Sequence, residues 1–204
     1  MRGPGPDPLA PALLALADFL DEVRVPWMVQ GGVAAGLLGV PRHTVDVDAV
    51  ALADADRAGD LLEAAARHGF SPRIRGAAEF ARRRRILLLR HDASGVPIDL
   101  SLGCLPFERE GIERSRTLRV RGRTLRYPTP EDFVIGKAVA HRPRDMEDIR
   151  SVLRACAGLD RERIERWVKE FARVLEAPEL WADLRPLLRP PAAKKPPRRR
   201  GGQR

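Results

Sequence analysis

Apolar residues recur at two periods along this chain, and the switches between them mark out its elements. Leu9, Leu13, Leu16, Leu20 and Val23 fall at helical spacing. With Asp7 as N-cap and Pro8 in the first turn they predict a helix over residues 7–24, which Pro26 ends. Residues 27–30 read as a short strand and 33–38 as a small helix that follows Gly31-Gly32 and closes at Gly39 and Pro41. Residues 45–52 alternate at first and then become continuously apolar, the pattern of a central strand with an acidic tip. An amphipathic helix over 55–68 stops at Gly69. Apolar runs at 85–91 and 96–102 are joined by Asp92-Ala93-Ser94-Gly95, a hairpin signal, and a second hairpin pairs 117–120 with 124–127. Beyond Pro130 the texture is helical over 130–140, 144–157 and 160–175, and Pro178 and Pro186 then punctuate a weakly structured end.

This order predicts a mixed α/β fold of the α+β kind, a mixed sheet with flanking helices and a C-terminal helical cap. The expected divisions are a disordered stretch 1–6, a sheet-bearing core 7–127, a helical region 128–189 and a disordered basic tail 190–204. At 204 residues and 44% hydrophobic content the chain can bury one full core. The net charge of +9 changes the picture less than it first suggests. Residues 190–204 carry two Lys, four Arg and no acid, which leaves 31 basic against 28 acidic residues elsewhere. Arg supplies 33 of the 37 basic residues, a bias that genome composition produces as readily as phosphate binding does. The run Arg82 to Arg85 precedes a strand and reads as a solvated edge that blocks strand pairing, with a nucleic-acid channel as the alternative. Two cysteines without metal-ligand spacing read as reduced, semi-buried thiols, which favours a cytoplasmic location. No run approaches the apolar length of a membrane span. The segment from Leu9 to Leu20 resembles a signal peptide only superficially, since acids charge its far end.

The chemistry concentrates in GGVAAGLLGVPRHTVDVD, residues 31–48. Residues two apart in a strand point the same way, so Asp46 and Asp48 are expected side by side, with Val45 and Val47 facing the opposite layer. Two adjacent carboxylates repel unless a cation sits between them, and Mg²⁺ is the hard ion that prefers such oxygen ligands. A solvated strand end is the plainer reading of the same pair. Gly31-Gly32 at a strand-to-helix junction would let a phosphate approach backbone N–H groups. Arg42 and Thr44 add a phosphate donor and a hydroxyl. Asp99 is an acid inside an apolar strand and needs a partner, whether metal or structural. Lys137 lies among Phe133, Val134, Ile135, Ala138 and Val139 and must meet an anion. A salt bridge to Asp145 or Asp148 is the alternative to a triphosphate.

A Gly-Gly turn, a short helix, D-x-D and a later single Asp together resemble the DNA polymerase beta superfamily of nucleotidyltransferases. More narrowly, GG…PRHTVDVD with PTPEDFVIGKAVAHRPRDMEDI, residues 128–149, is similar to the AbiEii/AbiGii-type group, many of whose members are toxins of toxin–antitoxin or phage-defence systems. The likeness spans residues 27–150 and departs at Gly32, where many superfamily enzymes carry Ser. It implies a minimal nucleotidyltransferase sheet and transfer of a nucleoside monophosphate from an NTP to an acceptor hydroxyl. It also implies two Mg²⁺ ions held by Asp46, Asp48 and a third acid, Asp99 or, as the alternative for the same role, Asp145. Gly31, Gly32, Arg42, Thr44, Lys137 and Arg142 would hold the triphosphate, and Lys137 and Asp145 would join the catalytic set. The implied partners are an RNA or tRNA acceptor and an antitoxin protein. The alternatives are a small-molecule or protein acceptor, or an inert binding module on the same scaffold.

Overall fold

The computed structural model describes residues 8–40 and 43–188. The expected disordered ends, Arg42 and the basic tail lie outside the described residues. Helix α1 (Leu9–Glu22) turns Ala12, Leu16, Ala17, Phe19 and Leu20 inward, as its spacing requires. It leads into β1 (Trp27–Val29), α2 (Gly31–Leu37) and β2 (Val47–Ala51). A 3₁₀ turn, Ala55–Arg57, capped by the Asp54 side chain, opens α3 (Ala58–Arg67). Strand β3 (Phe70–Pro72), helix α4 (Ala77–Arg84) and the hairpin β4 (Ile86–His91) with β5 (Pro97–Leu102) complete one sheet. Its order is β1-β2-β5-β4-β3, with β2 and β5 parallel and the other pairs antiparallel. After α5 (Pro106–Glu113), a separate two-stranded hairpin forms from β6 (Arg116–Val120) and β7 (Arg123–Tyr127). Helices α6 (Pro130–Ala140), α7 (Pro143–Ala155), α8 (Arg161–Val174) and α9 (Glu179–Leu184) follow.

The mixed α/β fold expected from the patterning is present. Strand β5 alternates fully buried Ile98, Leu100 and Leu102 with half-buried Pro97, Asp99 and Ser101, so one sheet face packs on α1 and α3 while the other stays accessible. Three hydrophobic clusters result among the described residues, the smallest being Met28 and Val50 on the second sheet face, covered by Ile112 of α5. The first gathers the sheet, α1, α3 and Leu125 of β7. The second gathers α6 to α9, and it recruits Ala34, Ala35, Leu38 and Val40 from the α2 segment. Helix α2 is therefore packed against the helical region although it belongs by sequence to the sheet-bearing half.

Several local expectations need correction. Gly31 and Gly32 are not a loop before a helix; they form the first turn of α2. Strand β2 begins at Val47, so Asp46 lies in the bend just before it. Arg82, Arg83 and Arg84 are on the last turn of α4, where the unpaired carbonyls at the helix end favour positive charge, and do not form a strand edge. The end after Pro178 is not weakly structured: Leu180, Leu184 and Leu188 are buried in the second cluster. Cys104 is exposed in the loop before α5, and only Cys156 is semi-buried. No described helix is long and apolar enough to cross a membrane.

Candidate active site

A cleft of about 470 Å³ opens over the accessible face of the sheet, between the ends of β2 and β5 and the helices α6 and α7. One wall is acidic. Asp48 and Asp99 are register partners on the parallel strands β2 and β5, so their side chains stand side by side on one face. Asp46 adds a third carboxylate from the bend before β2, where its Oδ1 accepts a 2.8 Å hydrogen bond from Thr44 Oγ1. All three acids and Thr44 line the cleft.

The glycines explain how the acids come so close to α2. Gly31 has φ +58°, and a Cβ there would stand 1.8 Å from Asp48 Oδ2. A Cβ on Gly32 would stand 2.6 Å from Thr44 Oγ1. Hydrogen in place of a side chain thus makes room for Asp48 and Thr44, a tighter constraint than the phosphate approach expected from sequence. The acids pay electrostatically for this crowding: burial raises the Asp48 carboxyl above the ordinary carboxylate range, and the charges of Asp46 and Asp99 push it further. Lys137 and Arg142 act in the opposite direction, which places them within electrostatic reach of Asp48.

The opposite wall is basic but internally paired. Lys137 and Arg142 line the cleft together with Arg144. Lys137 Nζ donates to Asp145 Oδ1 at 2.7 Å and lies 2.9 Å from Asp148 Oδ2, so the salt-bridge alternative describes its contacts. Asp145 is fully enclosed and does not line the cleft; its Oδ2 accepts from Arg142 Nε at 2.6 Å and from the Arg142 backbone N–H. Burial alone would raise the Asp145 carboxyl, but hydrogen bonds from Arg142 and Lys137 and their charges outweigh it and hold that carboxyl below its ordinary value. The structure therefore places Asp145 behind Lys137 and Arg142, apart from the carboxylates of the facing wall.

The carboxylate wall has the donor chemistry for a hard divalent cation: three oxygen ligands, mutual repulsion and a raised carboxyl. Among the described residues, however, no three acids yet converge as a ligand cluster. Asp99 Oδ1 is engaged by Arg73 from the loop after β3. Sequence reasoning missed Arg73, and also missed Gln30, Ser101, Phe107 and Asp132 in the cleft lining. Asp132 was detectable in principle as the third residue of a helix capped by Thr129, whose Oγ1 accepts from the Asp132 N–H at 3.2 Å. Its carboxylate is consumed by Arg163, at 2.7 and 2.9 Å, which ties α8 to α6 at the edge of the cleft.

The sequence matches no family model and no curated relative. Solved structures do resemble the fold. An antigenic nucleotidyltransferase-like protein from Paracoccidioides brasiliensis superposes with a TM-score of 0.54 at 18% identity, over 88% of this chain and 93% of that one. The antibiotic-resistance factor ANT(2'')-Ia gives 0.55 at 18% identity, over 87% of this chain and 99% of its own. The chain has the nucleotidyltransferase fold. The same factor in complex with adenylyl-2''-tobramycin gives 0.54, over 82% and 99%. In the nucleotidyltransferase fold of this chain, the acidic strand ends and the helical region form the two sides of one cleft.

Proposed function

We propose that this protein is a nucleotidyltransferase that moves a nucleoside monophosphate from an NTP to an acceptor hydroxyl. The observation that carries the reading is the cleft itself: Asp46, Asp48 and Asp99 on one wall face Lys137, Arg142 and Arg144 on the other. An NTP needs both, carboxylates beside the reacting phosphorus and cations along the triphosphate. Divalent cations, Mg²⁺ by donor chemistry and two in number by the resemblance, would be held by Asp46, Asp48 and Asp99 and would neutralise phosphate charge as Lewis acids. The acceptor oxygen bonds to the α-phosphorus as the bond to the bridging oxygen breaks, pyrophosphate leaves with the electron pair, and a cleft carboxylate takes the hydroxyl proton. Arg142 and Arg144 orient the triphosphate, while Asp145 positions Arg142 and Lys137 from behind. Thr44 fixes the rotamer of Asp46 through its hydroxyl.

The acceptor we favour is an RNA 3′ end, as the likeness to the AbiEii/AbiGii-type toxins implies. A structural feature supports it. Residues 114–126 hold six arginines and no acid, all six are exposed, and β7 runs directly into Pro128 of the cleft lining. Phosphate contacts from such a ribbon bind a polymer without reading its bases. A protein of the antitoxin kind would then be the natural partner. A small hydroxylated acceptor is the second reading, favoured by the fold likeness to ANT(2'')-Ia, which has been captured with an adenylylated aminoglycoside.

The test is incubation of the protein with each α-labelled NTP, Mg²⁺ and either total RNA or a panel of aminoglycosides. The favoured reading expects label on RNA with one NTP, and no label with Asp48→Asn. Label on an aminoglycoside alone would select the second reading. NTP turnover that persists undiminished in Asp46→Asn and Asp48→Asn would sink both.

A further inference from the structure

Strand register places four residues in one row across the sheet. Asp48 pairs with Asp99, and Asp99 pairs with Leu88 of β4. One step beyond the Pro72–Leu89 pair, the Arg73 N–H donates to Leu88 O at 2.9 Å, so Arg73 continues the row past the end of β3. Directly paired residues share a face, which puts Arg73 on the same side as the acids. Two strand spacings, roughly 10 Å, separate the Arg73 and Asp99 backbones. An extended arginine spans most of that, and Arg73 reaches over Leu88 to Asp99 Oδ1. The fit is incomplete. Arg73 Nε is buried without a hydrogen-bond partner, whereas the Asp99 side chain stays 37% exposed. A guanidinium held through one end, against a carboxylate open to the cleft, is a pair that a better cation can displace.

We propose that Arg73 is a resident counter-ion for Asp99, a positioning residue that a divalent cation must displace before Asp99 can join Asp46 and Asp48. The inference rests on the reading of these acids as cation ligands. In the metal-free protein Arg73 neutralises Asp99, the third acid of the wall, so the wall tolerates its crowded charge. Cation binding recruits Asp99 and releases the guanidinium at the cleft edge. Arg73 thereby sets how much free cation the site requires, and NTP, arriving with its own cation, supplies the surplus attraction that drives the exchange.

Mn²⁺ binding to the full chain without nucleotide, followed by the loss of its free-ion paramagnetic resonance signal, tests this directly. Removing a like charge and a competing partner, Arg73→Gln should tighten Mn²⁺ binding on the order of tenfold. The metal-free variant should melt below the wild type and regain the difference when Mn²⁺ is added. In an Arg73→Gln, Asp99→Asn double variant the gain in affinity should vanish. Unchanged or weaker Mn²⁺ binding by Arg73→Gln overturns the inference. A second measurement avoids any variant: in the wild type, the Arg73 Nε–H resonance should shift or broaden during Mg²⁺ titration, and a resonance that stays fixed while the metal binds also overturns it. Asp48→Asn separates this inference from the reading beneath it. If that variant binds Mn²⁺ as the wild type does, the acids are not the cation site and both fall. If it loses Mn²⁺ while Arg73→Gln matches the wild type, only the role of Arg73 falls.

Discussion

The two walls of the cleft handle charge in opposite ways. On the helical side, Lys137, Arg142, Asp145 and Asp148 neutralise one another, with the Lys137 and Asp145 side chains only 9% and 0% exposed. On the sheet side, Asp46 and Asp48 have no cationic hydrogen-bond partner among the contacts of the described residues, and Asp99 has a single guanidinium. A buried, mutually satisfied network is the mark of a group holding structure together; a carboxylate whose proton affinity is raised by burial and by its acidic neighbours, as at Asp48, is the mark of a site awaiting a cation. The difference teaches which carboxylates belong to architecture and which to chemistry, although both sets line or support the same cleft.

Substitutions should separate the walls. The largest effect is expected on the acidic side: Asp46→Asn and Asp48→Asn should each lower nucleotide transfer by about a thousandfold or more, the scale of losing a group that acts on transition-state charge. Neither should lower the melting temperature of the metal-free protein at neutral pH. The sign follows from Asp48, whose folded-state carboxyl is raised. Its ionised form is disfavoured in the native state, so native stability rises as pH falls through the raised value toward the unfolded value of about 3.9. The Asn variant should lack that rise, which thermal melts across pH will reveal.

The basic wall should respond in the reverse manner. Asp145→Ala leaves Lys137 and Arg142 without their shared partner and should cost about 3–5 kcal/mol of stability, the range for breaking a buried ion pair. The Asp145 carboxyl is held low, so its contribution is fully present above the unfolded value of about 3.9 and is lost as pH falls through the depressed native value. Denaturant midpoints for wild type and variant should therefore stay apart at pH 5 to 8 and converge only in stronger acid. Equal midpoints at pH 7 would show that the network is not structural.

The smallest effect, and the sharpest contrast, comes from glycines. Gly31→Ala and Gly69→Ala both place a side chain at positive φ, a strain of about 1–2 kcal/mol. Only Gly31 has the Asp48 carboxylate in the way; the Gly69 position opens on free space. Gly69→Ala should lose stability and keep its transfer rate per folded molecule. Gly31→Ala should lose the transfer as well, because Asp48 must move. Equal rates in the two variants would show that Asp48 has no fixed position to protect.

The sequence was most readable where one period governs. Apolar runs joined by a turn signal exposed the β4–β5 hairpin and put Asp99 on a strand, alternation put Asp48 on one, and the isolated Lys137 required an anion that turned out to be Asp145 and Asp148. It was least readable where an element is too short to show a period. Strand β3 has three residues and ends at Pro72, so nothing local announced that Arg73 would face Asp99. Helix α9 was hidden by the flanking prolines, since its stability comes from burying Leu180 and Leu184 against distant helices and not from its own pattern. Asp46 shows the limit of strand reasoning: it reaches the acidic wall from a bend held by Thr44, by a side-chain hydrogen bond that spacing does not encode.

The central claim is that the acidic wall holds the cation and the basic wall the triphosphate. It is tested most directly by a crystal structure of the protein with Mn²⁺ and a non-hydrolysable NTP, read through the anomalous signal of manganese. The account predicts a peak between Asp46 and Asp48, with Asp99 turned from Arg73 to join them and the triphosphate extending toward Arg142 and Arg144. A nucleotide bound with manganese away from these carboxylates would contradict it.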